Sequence, residues 1–151
     1  MAEASPARLY ATLVGAVLAI AGIVGFFYSA SFGSPGQVDD ALGAFAVNGW
    51  ANSLHVLTGV AGLLLASTAP RAYAKWVGLA YLAIAAWGFI VGDGGTILGL
   101  FPVGPESSAL HLVVGGLGLA AAKATPGPGR RVFTRRRNRG AERSLGRQGA
   151  T

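Results

Sequence analysis

The chain contains two histidines, His55 and His111, and they sit in matching stretches. One is LHVLTGVAGL, from Leu54 to Leu63; the other is LHLVVGGLGL, from Leu110 to Leu119. In both, glycine follows histidine at i+4 and i+7, positions that share one face of a helix. Two imidazoles at matching depth could ligate a haem iron from opposite sides, with the glycines leaving room for the macrocycle. The candidate cofactor-binding set is therefore His55, His111, Gly59, Gly62, Gly115 and Gly118. The plainer alternative is that neutral imidazoles hydrogen-bond across helices to Asn52, Ser108, Tyr, Trp or backbone, as polar groups in membrane helices do. HxxxGxxG is common in such helices and no CxxCH is present. The expectation is that no cofactor is bound, with haem as the alternative.

Other chemistries are excluded more firmly. With no cysteine there is no disulfide framework, thiolate nucleophile or Cys-based metal site. A zinc site needs three or four ligands, and two histidines with distant acids do not supply them. GDGGTILG (92–99) and GGLG (115–118) lack the Lys-Ser or Lys-Thr of a phosphate loop. No carboxylate pair, Ser/His/Asp set or nucleophile with a base can be assembled, so no enzyme is expected.

The elements that position the histidines are read from hydropathy. Of the 151 residues, 52% are hydrophobic and 12% charged, far from a soluble average. Apolar runs cover Leu9–Ser29, Ala51–Ala69, Lys75–Val91 and Ser107–Ala122. They predict spans at about 9–29, 51–69, 75–91 and 107–122. The first matches the roughly 20 residues a bilayer requires; the last two are shorter and call for thin bilayer or interfacial flanks. None shows a charged face, which argues against a soluble helical core. The first run also exceeds the roughly 7–15-residue core of a signal peptide, so an uncleaved helix is expected.

Charge orients the spans. Arg8, then Arg71 and Lys75, then Lys123 and eight arginines beyond it fall on one side of a four-span arrangement. Asp39, Asp40, Asp93 and Glu106 fall on the other. The positive-inside rule places both termini in the cytoplasm of an inner-membrane, multi-pass protein. Tyr10, Tyr73 and Trp76 then lie near the inner boundary, and Phe26, Phe27, Tyr28, Trp50, Trp87 and Phe101 near the outer one.

The two histidines match because the two halves match. At an offset of 56, residues 42–63 overlie 98–119 with nine of 22 positions identical, including Phe45/Phe101, Val47/Val103, His55/His111, Gly59/Gly115 and Gly62/Gly118. At an offset of 63 the first and third spans align, with Arg8 on Arg71, Tyr10 on Tyr73 and Gly15 on Gly78. The expected fold is all-α: a four-transmembrane-helix bundle formed by a tandem parallel repeat of a two-helix unit. Asn48, Asn52, His55, Gly59, Gly62 and Ala66 form one stripe; Ser108, His111, Gly115, Gly118 and Ala122 form its counterpart. Gly15, Leu18, Gly22, Gly25 and Ser29 on the first span, and Gly78, Tyr81, Ala85, Gly88 and Gly92 on the third, complete the seams. Small residues there let helix backbones approach closely.

The net charge of +6 belongs to the tail. Residues 1–123 carry four bases and five acids, whereas 124–151 carry eight arginines and Glu142. A membrane domain over 1–124 and a disordered, basic cytoplasmic tail over 125–151 are expected, with TPGPG at 125–129 as the break. The run RRVFTRRRNR serves as a topology anchor or binds anionic lipid headgroups; nucleic acid is not expected, since little aromatic content interleaves it.

Together, GFF (25–27), LGAFAVNGWANSLHVLTGVAGL, WGFIVGD (87–93) and LHLVVGGLGL resemble the bacterial four-helix membrane family called domain of unknown function 4383. The resemblance covers about residues 8–123 and implies a small four-span protein without an assigned activity. That family often carries further Asn or His near these histidines, where this chain has Ala51, Gly104 and Ser108. The leading functional expectation is a non-enzymatic structural or accessory membrane protein whose partners are the bilayer, a second copy or another membrane protein. The alternative is a haem- or small-ligand-binding membrane protein using His55 and His111, with electron transfer as its role.

Overall fold

A computed structural model describes residues 5–33, 39–41 and 45–127. The arginine-rich stretch from residue 128 onward lies outside the described residues. The element order is helix, hairpin, helix, then helix, hairpin, helix. Helix α1 covers Pro6–Tyr28, strands β1 and β2 cover Asp39–Ala41 and Phe45–Val47, and helix α2 covers Gly49–Leu65. Helix α3 covers Pro70–Val91, strands β3 and β4 cover Gly95–Ile97 and Phe101–Val103, and helix α4 covers Pro105–Ala124. The chain is thus mostly helical. Helices α1, α3 and α4 are long and apolar enough to cross a membrane; α2, with 17 residues, is shorter.

Local sequence sets the helix limits. Ser5 caps α1 by accepting from the Arg8 amide at 3.3 Å, and Pro6 supplies the fixed φ of a first helical turn. Asn48 caps α2 through Oδ1, which accepts from Ala51 N at 2.9 Å. Gly104 has no side chain for this role before α4; instead Ser107 Oγ accepts from the Gly104 amide at 3.0 Å. The apolar window at 51–69 does not become helix to its end. Helix α2 stops at Leu65, residues 66–68 form a turn, and Pro70 starts α3. A proline has no amide to continue the preceding ladder but is at home in a first turn.

Two short hairpins, not expected from the sequence, accompany the four helices. β1 pairs antiparallel with β2, and β3 with β4. The β3–β4 turn places Leu98 at φ 55° and Gly99 at φ 69°, with Leu100 N donating to Ile97 O at 3.0 Å. Two successive positive φ values make a type I′ turn, whose twist matches that of the paired strands. The Phe-x-Val repeat of the two loops was the available signal. Three-residue strands are too short to give a readable alternation.

Helix α1 lies along α2 and α3 along α4, far more extensively than any other helices meet. Glycine makes both contacts possible. A Cβ on Gly15 would come within 2.9 Å of the Gly59 carbonyl oxygen, and a Cβ on Gly78 within 2.9 Å of the Gly115 carbonyl oxygen. The core between the pairs is small and unlike a soluble one: Ala7, Tyr10, Ala11, Ala66, Tyr73, Ala74 and Ala122. The large apolar side chains point outward instead, with Phe27 85%, Ile90 84% and Leu64 70% exposed. An apolar exterior around a core of small residues is the arrangement that lipid, not water, rewards.

Thr125 is buried; its hydroxyl accepts from Ala7 N at 2.9 Å and donates to Ala121 O at 2.9 Å. It belongs to the helical body.

Candidate functional site

Helices α2 and α4 barely approach each other along their backbones. Their histidines nevertheless meet: the rings of His55 and His111 lie 6.1 Å apart, centre to centre, with planes inclined by 60°. Tyr81, from α3, packs its ring edge-on to His111 at 5.1 Å and brings its hydroxyl within 3.4 Å of Thr58 Oγ1. The cluster is thus two imidazoles, a phenol and a threonine hydroxyl, gathered from α2, α3 and α4.

Asn52 and Ser108 do not serve as hydrogen-bond partners of the histidines. Asn52 is fully buried and donates from Nδ2 to Ser29 O at 2.8 Å, joining α2 to the end of α1. Its Oδ1 faces Gly25, and Ser108 Oγ faces Gly88. Among the described residues neither oxygen has a hydrogen-bond partner, and the same holds for His111 Nδ1. A carbonyl or hydroxyl oxygen set against a glycine Cα makes at most a weak C–H···O contact. Both glycines are required there because a Cβ would collide with the polar side chain.

The four glycines of the candidate set are occupied by neighbouring helices. Gly59 is covered by the backbone of Ala19 and by Gly15 O; Gly115 by Leu82 and by Gly78 O. Gly62 faces the Tyr73 hydroxyl and Ala11 O, while Gly118 faces Ala74 O and the Tyr10 hydroxyl. These surfaces form contacts between helices. Of the six candidate residues, the structure brings the two histidines together and assigns the four glycines to packing.

Two residues that matter here were read from sequence as boundary aromatics and as an aligned pair. Tyr10 and Tyr73 are buried, with ring centres 6.2 Å apart. Tyr10 Oη donates to Val114 O at 3.0 Å, and Tyr73 Oη donates to Thr58 O at 3.0 Å. Each therefore reaches across from one helix pair to the other. Their shared alignment at the offset of 63, together with that of Thr58 and Val114 at 56, was the available signal. A second tie joins the hairpin ends, where Asn48 Nδ2 donates to Leu100 O at 2.6 Å.

Among the described residues no group of three or more His, Cys, Asp or Glu could hold a metal ion. A family model described as "Domain of unknown function (DUF4383)" matches residues 8–95, more than half of the chain. No curated protein and no solved structure matches it.

Proposed function

On the premise that the chain belongs to this family of unknown function, we propose that it is a four-span integral membrane protein with a non-enzymatic structural or accessory role. Its two helix–hairpin–helix halves are a tandem parallel repeat, related by an axis along the membrane normal. It resides in the inner membrane with both termini cytoplasmic, and associates with lipid and with a second copy or another membrane protein.

The observation that carries this reading is the reciprocal tyrosine pair. Tyr10 bonds to Val114 O, Tyr73 bonds to Thr58 O, and the two rings touch. These are corresponding positions of the two halves, and corresponding positions of a twofold arrangement meet on its axis. His55 and His111 form a second such pair. The polar and small residues of the seams are engaged in holding helices, which supports a scaffold role over a catalytic one. The 17 residues of α2 suffice for a span if the bilayer thins locally or the flanks reach the interface.

A second reading, a small ligand held between the imidazoles, is favoured by one observation: His111 Nδ1 is buried and has no hydrogen-bond partner among the described residues. The experiment that separates the readings is an ultraviolet–visible spectrum with metal analysis of the detergent-purified protein. The scaffold role predicts a colourless, metal-free sample. A Soret band or a stoichiometric metal would replace it with the ligand-binding role.

A further inference from the structure

At the end of the bundle opposite the hairpins, α1 begins, α2 ends, α3 begins and α4 ends. A cavity of about 1170 Å³ opens there. It is lined by Arg8, Arg71, Lys75 and Lys123, from α1, α3 and α4. These are all the Lys and Arg side chains among the described residues. Among the described residues none of them is paired with a carboxylate; Asp93 and Glu106 lie near the hairpin end.

The lining is chemically divided. Arg71 is held in place by its Nε, which donates to Ala122 O at 3.1 Å, and its guanidinium carries further N–H donors. Lys75 Nζ rests 4.6 Å from the Trp76 ring centre. Ala69, at the N-cap of α3, has no side-chain acceptor for the first-turn amides, so the positive end of that helix adds to the field. Beside the cations, Trp76 and Leu119 line the same cavity with apolar surface. A cation cluster next to an apolar wall, at a membrane boundary, suits an amphiphile with an anionic head.

We propose that this cavity binds the headgroup phosphate of an anionic phospholipid, with an acyl chain lying against Trp76 and Leu119. The proposal rests on the membrane-spanning reading and adds a lipid site to it, separate from the arginine-rich tail. Arg71 provides directed donors to the phosphate oxygens, and Arg8, Lys75 and Lys123 supply charge around them.

The test uses the full chain. First, extraction of membranes at high salt and alkaline pH establishes whether the chain is integral; release into the supernatant overturns the membrane reading and this proposal with it. Detergent-purified protein is then titrated with phosphatidylglycerol or phosphatidylcholine of matched acyl chains and followed by native mass spectrometry. The expected result is one phosphatidylglycerol retained per chain in preference to phosphatidylcholine. Arg8→Gln and Lys75→Gln should each weaken that retention by about fivefold, the scale of one surface cation. Both side chains are exposed, so circular dichroism should be unchanged. Retention should survive the tail variant Arg135→Gln/Arg136→Gln/Arg137→Gln. Equal retention of the two lipids, loss only in the tail variant, or displacement of lipid by excess inorganic phosphate would each overturn the proposal.

Discussion

His55 and His111 touch ring to ring, 6.1 Å between centres, although the helices that carry them hardly approach each other. The contact spans the two halves of the molecule near its hairpin end. Toward the other end, Tyr10 and Tyr73 do the same at 6.2 Å. Two aromatic ring contacts therefore join the α1–α2 pair to the α3–α4 pair at two depths.

The histidine contact makes the two sites interdependent. His55→Gln and His111→Gln should each cost on the order of 1 kcal/mol, the scale of polar contacts between helices in lipid. Because the rings touch, the double variant should depart from additivity by about 0.5 kcal/mol or more. Thermal unfolding of the two single variants and the double variant in one detergent measures this. Full additivity would mean that the ring contact contributes nothing.

The tyrosine bonds should be equivalent. Tyr10→Phe and Tyr73→Phe each remove one hydroxyl donor and keep the ring contact, and each should lower stability by about 0.5–1.5 kcal/mol. Equal losses fit a twofold arrangement. A large loss in one variant with none in the other, by thermal unfolding, would argue that the halves are not equivalently joined.

Adjacent glycines on α4 should respond in opposite directions. A Cβ on Gly115 would meet Gly78 O at 2.8 Å and Leu82 N at 2.8 Å, both backbone atoms, whereas a Cβ on Gly116 meets nothing within 4 Å. Gly115→Ala should cost about 1–3 kcal/mol through overpacking. Gly116→Ala should gain about 0.5–1 kcal/mol by stiffening the unfolded chain. Thermal melts in a single detergent check both signs.

Much of this packing was legible in the sequence. The 3-4 spacing of Gly15, Leu18, Gly22 and Gly25 picked out a face that the structure buries throughout. Gly59, Gly62, Gly115 and Gly118 likewise lie on buried faces. The partners across those faces were not legible. Tyr10 and Tyr73 have the composition of membrane-boundary aromatics, and only tertiary packing turns them inward. Asn52 and Ser108 share a stripe with the histidines, yet α1 and α3 take them first through the close approach of Gly25 and Gly88. The hairpins escaped notice because each strand has three residues, too few for a period of two to stand out.

Leu98 offers a test of the hairpin turn. A leucine at φ 55° occupies the left-handed region, at a cost of roughly 1–2 kcal/mol for a side chain with a Cβ. It is 68% exposed, so little packing is lost on replacement. Leu98→Gly or Leu98→Asn should preserve the fold and raise the melting temperature. A lowered melting temperature would show that the leucine side chain contributes more than its backbone strain costs.

The proposed topology is a four-span bundle whose halves face the same way. The absence of native cysteine makes single-cysteine labelling clean. Cysteines placed one at a time at Ser34, Thr68, Gly94 and Arg130 are challenged with a membrane-impermeant maleimide in sealed, oriented vesicles. Positions 34 and 94 are expected to label from one side, and positions 68 and 130 only from the other. Labelling of 34 and 94 from opposite sides, or of all four from the same side, would contradict it.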